Sequence, residues 1–70
     1  MSLIKKFFVN GREYQTYNYL TLSQLLYYFN YNQRLFVIEY NSLICDQKHW
    51  SKVEIKTNDK IEIVTIVGGG

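Results

Sequence analysis

Seventy residues hold one domain, and folding a chain this short removes only about 60% of its unfolded surface from water, which leaves a small core and little room for a buried enzyme pocket. Hydrophobic residues at 47%, charged residues at 20% and aromatics at 17% exclude a disordered polyelectrolyte, and a net charge of +2 is too weak to argue for nucleic acid or an anionic membrane. The single cysteine, Cys45, excludes an internal disulfide and fits a reducing compartment, and neither a membrane-spanning apolar run of about 20 residues nor a secretory h-region is apparent.

Leu3 to Val9 (LIKKFFV) is rich in strand formers and runs directly into Asn10-Gly11. Asn-Gly is the preferred pair for a type I′ hairpin turn, in which both central residues need positive φ, so Arg12 to Tyr17 (REYQTY) is read as the returning strand. Thr21-Leu22-Ser23-Gln24 then forms a capping box, with Thr21 at the N-cap and Gln24 reaching back. Behind it, Leu22, Leu25, Leu26 and Phe29 recur at i, i+3, i+4 and i+7, the spacing of one buried helix stripe. The helix is expected over 22–29, ended by the polar stretch Asn30 to Arg34.

Leu35 to Tyr40 (LFVIEY) reads as a strand from the interior of a sheet, and Asn41-Ser42 as a turn into a short strand, Leu43 to Cys45. Asp46 to Trp50 suits a turn or short helical segment, Val53 to Ile55 a brief extended piece, and Asn58-Asp59 a second turn. Ile61 to Ile66 (IEIVTI) is the last strand, followed by Val67 and the glycines Gly68, Gly69 and Gly70. Strands, one amphipathic helix, then more strands imply a sheet covered by a helix on one face only. The other face must be polar or covered by a partner, with Phe8 and Tyr40 as candidate aromatic anchors.

Several single residues have simpler explanations than chemistry. Cys45 and the only histidine, His49, show no catalytic arrangement, and Cys45 is expected to be a half-buried structural thiol. One histidine is far from the three or four ligands of a metal site, and Trp50 suits the core or a sheet edge. The chain has no alanine and no proline and is crowded with Asn, Tyr, Ile and Lys, residues of A- and T-rich codons. That composition is read as genome bias, which discounts base stacking by Tyr14, Tyr17, Tyr19, Tyr27, Tyr28 and Tyr31 as in a small RNA-binding module.

Val37 to Tyr40, Asn41-Ser42-Leu43-Ile44, Gln47-Lys48-His49-Trp50, Asn58-Asp59-Lys60-Ile61-Glu62-Ile63-Val64 and Val67-Gly68-Gly69-Gly70, with Asn10-Gly11 and the helix from Leu22, follow in an order and spacing that resembles the sulfur carrier proteins of thiamine biosynthesis, the ThiS family. The resemblance runs end to end; Cys45-Asp46 replaces a proline and a basic residue found in many relatives. It implies an α+β fold, the ubiquitin-like β-grasp, with a mixed sheet of four to five strands and one main helix, a domain over 1–67 and a flexible glycine tail over 68–70. It also implies a protein co-substrate and not an enzyme: the Gly70 carboxylate is adenylated by an ATP-dependent adenylyltransferase, becomes a thiocarboxylate, and donates sulfur to thiazole synthase, with Val67, Gly68 and Gly69 as the tail both partners hold. No cofactor is bound by the carrier; Mg-ATP and a sulfur donor belong to the activating enzyme, in keeping with the absence of a glycine-rich phosphate loop. No nucleic-acid or membrane partner is implied, and the expected compartment is the plastid stroma, for a plastid-encoded chain, or bacterial cytoplasm. The alternatives are the related carrier of molybdopterin synthesis or a ubiquitin-like modifier and, from another class, the RNA-binding module.

Overall fold

The computed structural model describes residues 4–66. Five strands, β1 (Lys5–Val9), β2 (Arg12–Thr16), β3 (Phe36–Tyr40), β4 (Leu43–Cys45) and β5 (Lys60–Thr65), form one sheet in the order β2-β1-β5-β3-β4. β1 and β5 run parallel, and every other neighbouring pair is antiparallel. One helix, α1 (Leu22–Tyr28), covers one face, with single 3-10 turns at Gln33–Leu35 and Gln47–His49. This is the mixed β-grasp sheet expected from the resemblance.

The opening hairpin closes at Val9 and Arg12, with φ of 50° at Asn10 and 82° at Gly11, the type I′ geometry anticipated from the pair. A Cβ at Gly11 would meet nothing within 4 Å, so the demand there is conformational and not steric. β2 ends one residue early, because the Thr16 hydroxyl accepts from the Asn18 N–H at 3.1 Å and turns the chain away from the sheet.

Both halves of the capping box form: the Gln24 N–H donates to Thr21 Oγ1 at 3.2 Å, and Gln24 Oε1 accepts from the Thr21 N–H at 2.9 Å. The Leu22 and Ser23 N–H groups donate to the carbonyls of Val53 and Trp50, both at 3.1 Å, so three free amides of the first turn have partners. Val53 to Ile55 therefore is not a strand of the sheet. It straps the helix entrance through a lone bridge between Thr21 and Glu54, flanked by Ile55 N–H to Leu20 carbonyl at 2.8 Å. The other end closes in a Schellman motif, with Asn30 at φ 60°, Asn30 N–H to Tyr27 carbonyl and Tyr31 N–H to Leu26 carbonyl.

Asn32 caps the turn Gln33–Leu35 through its side chain, which removes Leu35 from the expected strand and starts β3 at Phe36. Among the described residues, Asn10, Asn30, Asn41, Ser42 and Asn58 are the non-glycine residues with positive φ, four of the five being asparagine. The abundance of asparagine thus has a conformational use beyond codon bias, since its short amide tolerates the left-handed region.

Leu22, Leu25 and Leu26 pack under the sheet with Phe7, Val9, Ile38, Ile61 and Ile63, and Leu20, Trp50 and Ile55 close the same core. Phe29, the fourth residue of the expected stripe, packs half-buried at its margin. Buried Asp59 organises the loop before β5: its carboxylate accepts from the Lys56 N–H at 2.7 Å, from Asn41 Nδ2 at 3.1 Å and from the Tyr40 hydroxyl. That hydroxyl also reaches the Glu54 carbonyl at 3.3 Å. Tyr40 is therefore a core-side structural residue and not a docking anchor on the open face.

Two outcomes test this packing. Leu26 is fully buried, so Leu26→Ala is expected to lower stability by about 2–5 kcal/mol in urea titrations, and a much smaller loss would place the stripe outside the core. Burial, the hydrogen bond to Asp59 and the Asp59 charge all hold the Tyr40 phenol above its usual range. A raised folded pKa adds stability that is complete below the unfolded tyrosine value of about 10 and is lost as pH climbs toward the folded value. Wild type is therefore expected to lose stability more steeply than Tyr40→Phe above about pH 10, and parallel curves would contradict the contribution.

Candidate functional site

Val67, Gly68, Gly69 and Gly70, the residues singled out from the sequence, lie outside the described residues. The element they extend from is well defined. β5 sits at the centre of the sheet, paired with β3 from Phe36↔Thr65 through Tyr40↔Ile61 and with β1 at Phe8↔Lys60 and Val9↔Ile61. β1 ends at Val9, yet the pairing continues: the Asn10 N–H donates to the Ile61 carbonyl at 2.8 Å. The Asn10 side chain then completes the ladder, Oδ1 accepting from the Ile63 N–H at 2.7 Å and Nδ2 donating to the Ile63 carbonyl at 3.2 Å. One turn residue thereby stands in for a missing strand residue. Beyond β5, the Ile66 N–H donates to the Leu35 carbonyl at 2.7 Å, the last described anchor before the tail.

The face of the sheet away from α1 is open. Strand alternation places Lys6 and Phe8 of β1, Glu13 and Gln15 of β2, Lys60, Glu62 and Val64 of β5, Val37 and Glu39 of β3, and Ile44 of β4 on it. Read toward the tail, a mixed row around Phe8 and Lys60 gives way to Glu62–Glu39–Ile44, then Val64–Val37, with Ile66 and Leu35 following. Ile44 is 73% exposed, and Val64, Ile66 and Leu35 are about half exposed, so an apolar strip borders the base of the tail. This strip was not expected from the sequence; its signal is apolar residues at both alternating phases of IEIVTI, Val64 and Ile66 as well as Ile61 and Ile63.

The remaining candidates separate from this site. Cys45 is half-buried on the core side of edge strand β4, opposite Ile38, and burial together with the neighbouring Asp46 charge pushes its thiol up, away from thiolate character. Its carbonyl accepts from Trp50 Nε1 at 2.8 Å, which ties the core tryptophan to β4. His49 is exposed at the end of the turn Gln47–His49, and among the described residues no three His, Cys, Asp or Glu side chains converge as metal ligands. The tyrosines build no stacking platform on the open face. Tyr14 packs against Phe7 and Phe29, Tyr31 stacks on Phe36 at 4.5 Å, and Tyr17, Tyr19, Tyr27 and Tyr28 are exposed on the loop and the helix.

Comparison with known proteins bears on this architecture. The family model described as the ThiS family matches residues 7–70. Among curated relatives, the uncharacterized protein ycf40 of Trieres chinensis is 57% identical over 70 residues, covering 100% of this chain and 96% of its own length. The protein of the same description from Porphyra purpurea is 37% identical over 62 residues, covering 89% of this chain and 87% of its own. The crystal structure of thiamine biosynthesis protein ThiS from Geobacter metallireducens superposes with a TM-score of 0.78 over 93% of this chain and 99% of that one, at 22% identity, and so supports the fold.

Asn10→Gly keeps a residue suited to positive φ but deletes both side-chain bonds to Ile63. The variant is expected to lose about 1–3 kcal/mol and to speed amide exchange at Ile63, whereas unchanged exchange there would show that the side chain does not clamp β5.

Proposed function

The chain belongs to the ThiS family of small sulfur carriers, and from that premise we propose that it carries sulfur for thiazole formation in thiamine biosynthesis, as a protein co-substrate and not an enzyme. The observation that carries this reading is the placement of β5. A strand gripped on both sides ends at Thr65, Ile66 just beyond it is fastened to Leu35 and bordered by exposed apolar residues, and the sequence continues Val67-Gly68-Gly69-Gly70. A rigid body with a docking strip thus precedes residues slim enough to enter a narrow active site, since glycine has no Cβ.

In this reading the Gly70 α-carboxyl, with an ordinary pKa near 3.3–3.7, is an anion at neutral pH. Its oxygen attacks the α-phosphate of ATP, pyrophosphate leaves, and an acyl-adenylate results. A sulfur nucleophile from a donor then displaces AMP, leaving a thiocarboxylate that passes its sulfur to thiazole synthase. The chain has no glycine-rich phosphate loop, so the activating adenylyltransferase supplies the Mg-ATP site and the electrostatic stabilisation. Ordering Val67 to Gly70 in either partner costs about 1–2 kcal/mol per residue, which the apolar strip on the body offsets. The AT-rich composition and the relatives from algal sources favour the plastid stroma over bacterial cytoplasm.

Appending one residue after Gly70 moves the carboxylate away from the adenylation point without touching the fold. Carrier-dependent ATP–pyrophosphate exchange by a thiamine-pathway activating enzyme is expected to vanish in that variant while its thermal melt is unchanged. Exchange at the wild-type rate would refute the role of Gly70.

A further inference from the structure

The open face contains a juxtaposition that folding alone does not favour. Glu39 and Glu62 are direct register partners on β3 and β5, and they lie between Ile44 on one side and the Val37–Val64 row toward the tail. Side chains directly opposite in an antiparallel pair sit about 4.5–5.5 Å apart at Cβ, where like charges repel. The molecule provides no neutralising contact: among the described residues the one ion pair is Lys5–Glu54, on other atoms. Lys60, two residues before Glu62 on the same face, and Lys6 on β1 form no ion pair with either glutamate.

We propose that the tail-side part of this face, from Glu39 and Glu62 to the apolar strip, docks on the activating enzyme, and that the enzyme inserts one cationic side chain, a guanidinium or an ammonium, between Glu39 and Glu62 within a ring of apolar groups meeting Ile44, Val37 and Val64. The inference rests on the sulfur-carrier reading and adds the chemistry of the partner surface. Continuity limits the occupant to an enzyme that takes Gly70, because the strip begins at the base of the tail; of the two, the activating enzyme is the one that meets the unmodified carrier. Charge complementarity sets the rest. A single cation satisfies both carboxylates, its attraction grows as the apolar ring excludes water, and the same carboxylates repel phosphate-rich partners. Registration follows from chemistry too: the strip alone could slide, whereas a cation fixed between two carboxylates sets how far the tail reaches.

The test is steady-state ATP–pyrophosphate exchange with the activating enzyme and full-length carrier, comparing wild type, Glu39→Gln, Glu62→Gln and the double variant, with Glu13→Gln on the far strand as control. Each glutamine at 39 or 62 is expected to raise the KM for carrier about fivefold or more with kcat unchanged, and the difference to shrink as salt is raised. Melting temperatures of these variants are expected to equal or exceed wild type, since a repulsion is removed, so unfolding does not account for the loss. A double variant whose KM stays within about twofold of wild type, or one that loses kcat at constant KM, overturns the proposal while wild-type exchange leaves the carrier reading standing. Wild-type carrier that supports no exchange, with the enzyme active on another carrier, overturns both.

Discussion

β5 is formed from nearly the last residues described, yet it occupies the middle of the sheet, and the fold is organised around holding it there. β5 must be gripped by a parallel neighbour formed at the start of the chain and an antiparallel one formed halfway along it. Neither neighbour is close in sequence, so the core closes only when the two ends of the chain meet. Asn10 is pivotal here: its backbone makes the hairpin turn while its side chain extends the ladder to Ile63. Asp59 does the corresponding work at the strand's beginning, holding Lys56, Asn41 and Tyr40 so that the chain enters β5 in register. A tail leaving from a central strand has a fixed origin, which a carrier needs if it presents one atom to two enzymes.

The same arrangement explains why one face is left for partners. One short helix covers one side of five strands, and the buried aliphatic core lies wholly on that side. The opposite side combines a polar region around Lys6, Glu13 and Lys60 with apolar residues that become dense toward the tail. Solvent tolerates that distribution on a small domain, but it is more economically explained as a docking surface with the tail at its edge.

Local chemistry made much of the fold legible in advance. Asn10-Gly11 announces its turn because few other residues accept two successive positive φ values, and Thr21 with Gln24 announces the helix start through bonds four residues wide. The Leu22-Leu25-Leu26 stripe and the strands around Ile38 and Ile63 follow from periodicity. Contacts between distant segments were not legible: the Asn10 clamp spans 53 residues, the Tyr40–Asp59 bond 19, and the strap at Glu54 pairs outside any strand. Tyr40 illustrates the difficulty, since alternation around β3 does not say which face the helix will cover. Leu35 left its expected strand because a side-chain cap at Asn32 competes locally with the sheet. Of the site, the glycines were visible as sequence, whereas the apolar strip and the Glu39–Glu62 pair required the strand register.

The proposed function stands or falls with the Gly70 carboxyl as the sulfur-bearing group. Fragment-resolved intact-mass spectrometry after incubation with a thiamine-pathway activating enzyme, Mg-ATP and a sulfur source tests it most directly. The expected result is a mass gain equal to the exchange of one oxygen for sulfur, confined to the C-terminal fragment that contains Gly70. An unchanged mass, with the same enzyme shown to modify another carrier, or a gain located at Cys45, would contradict it.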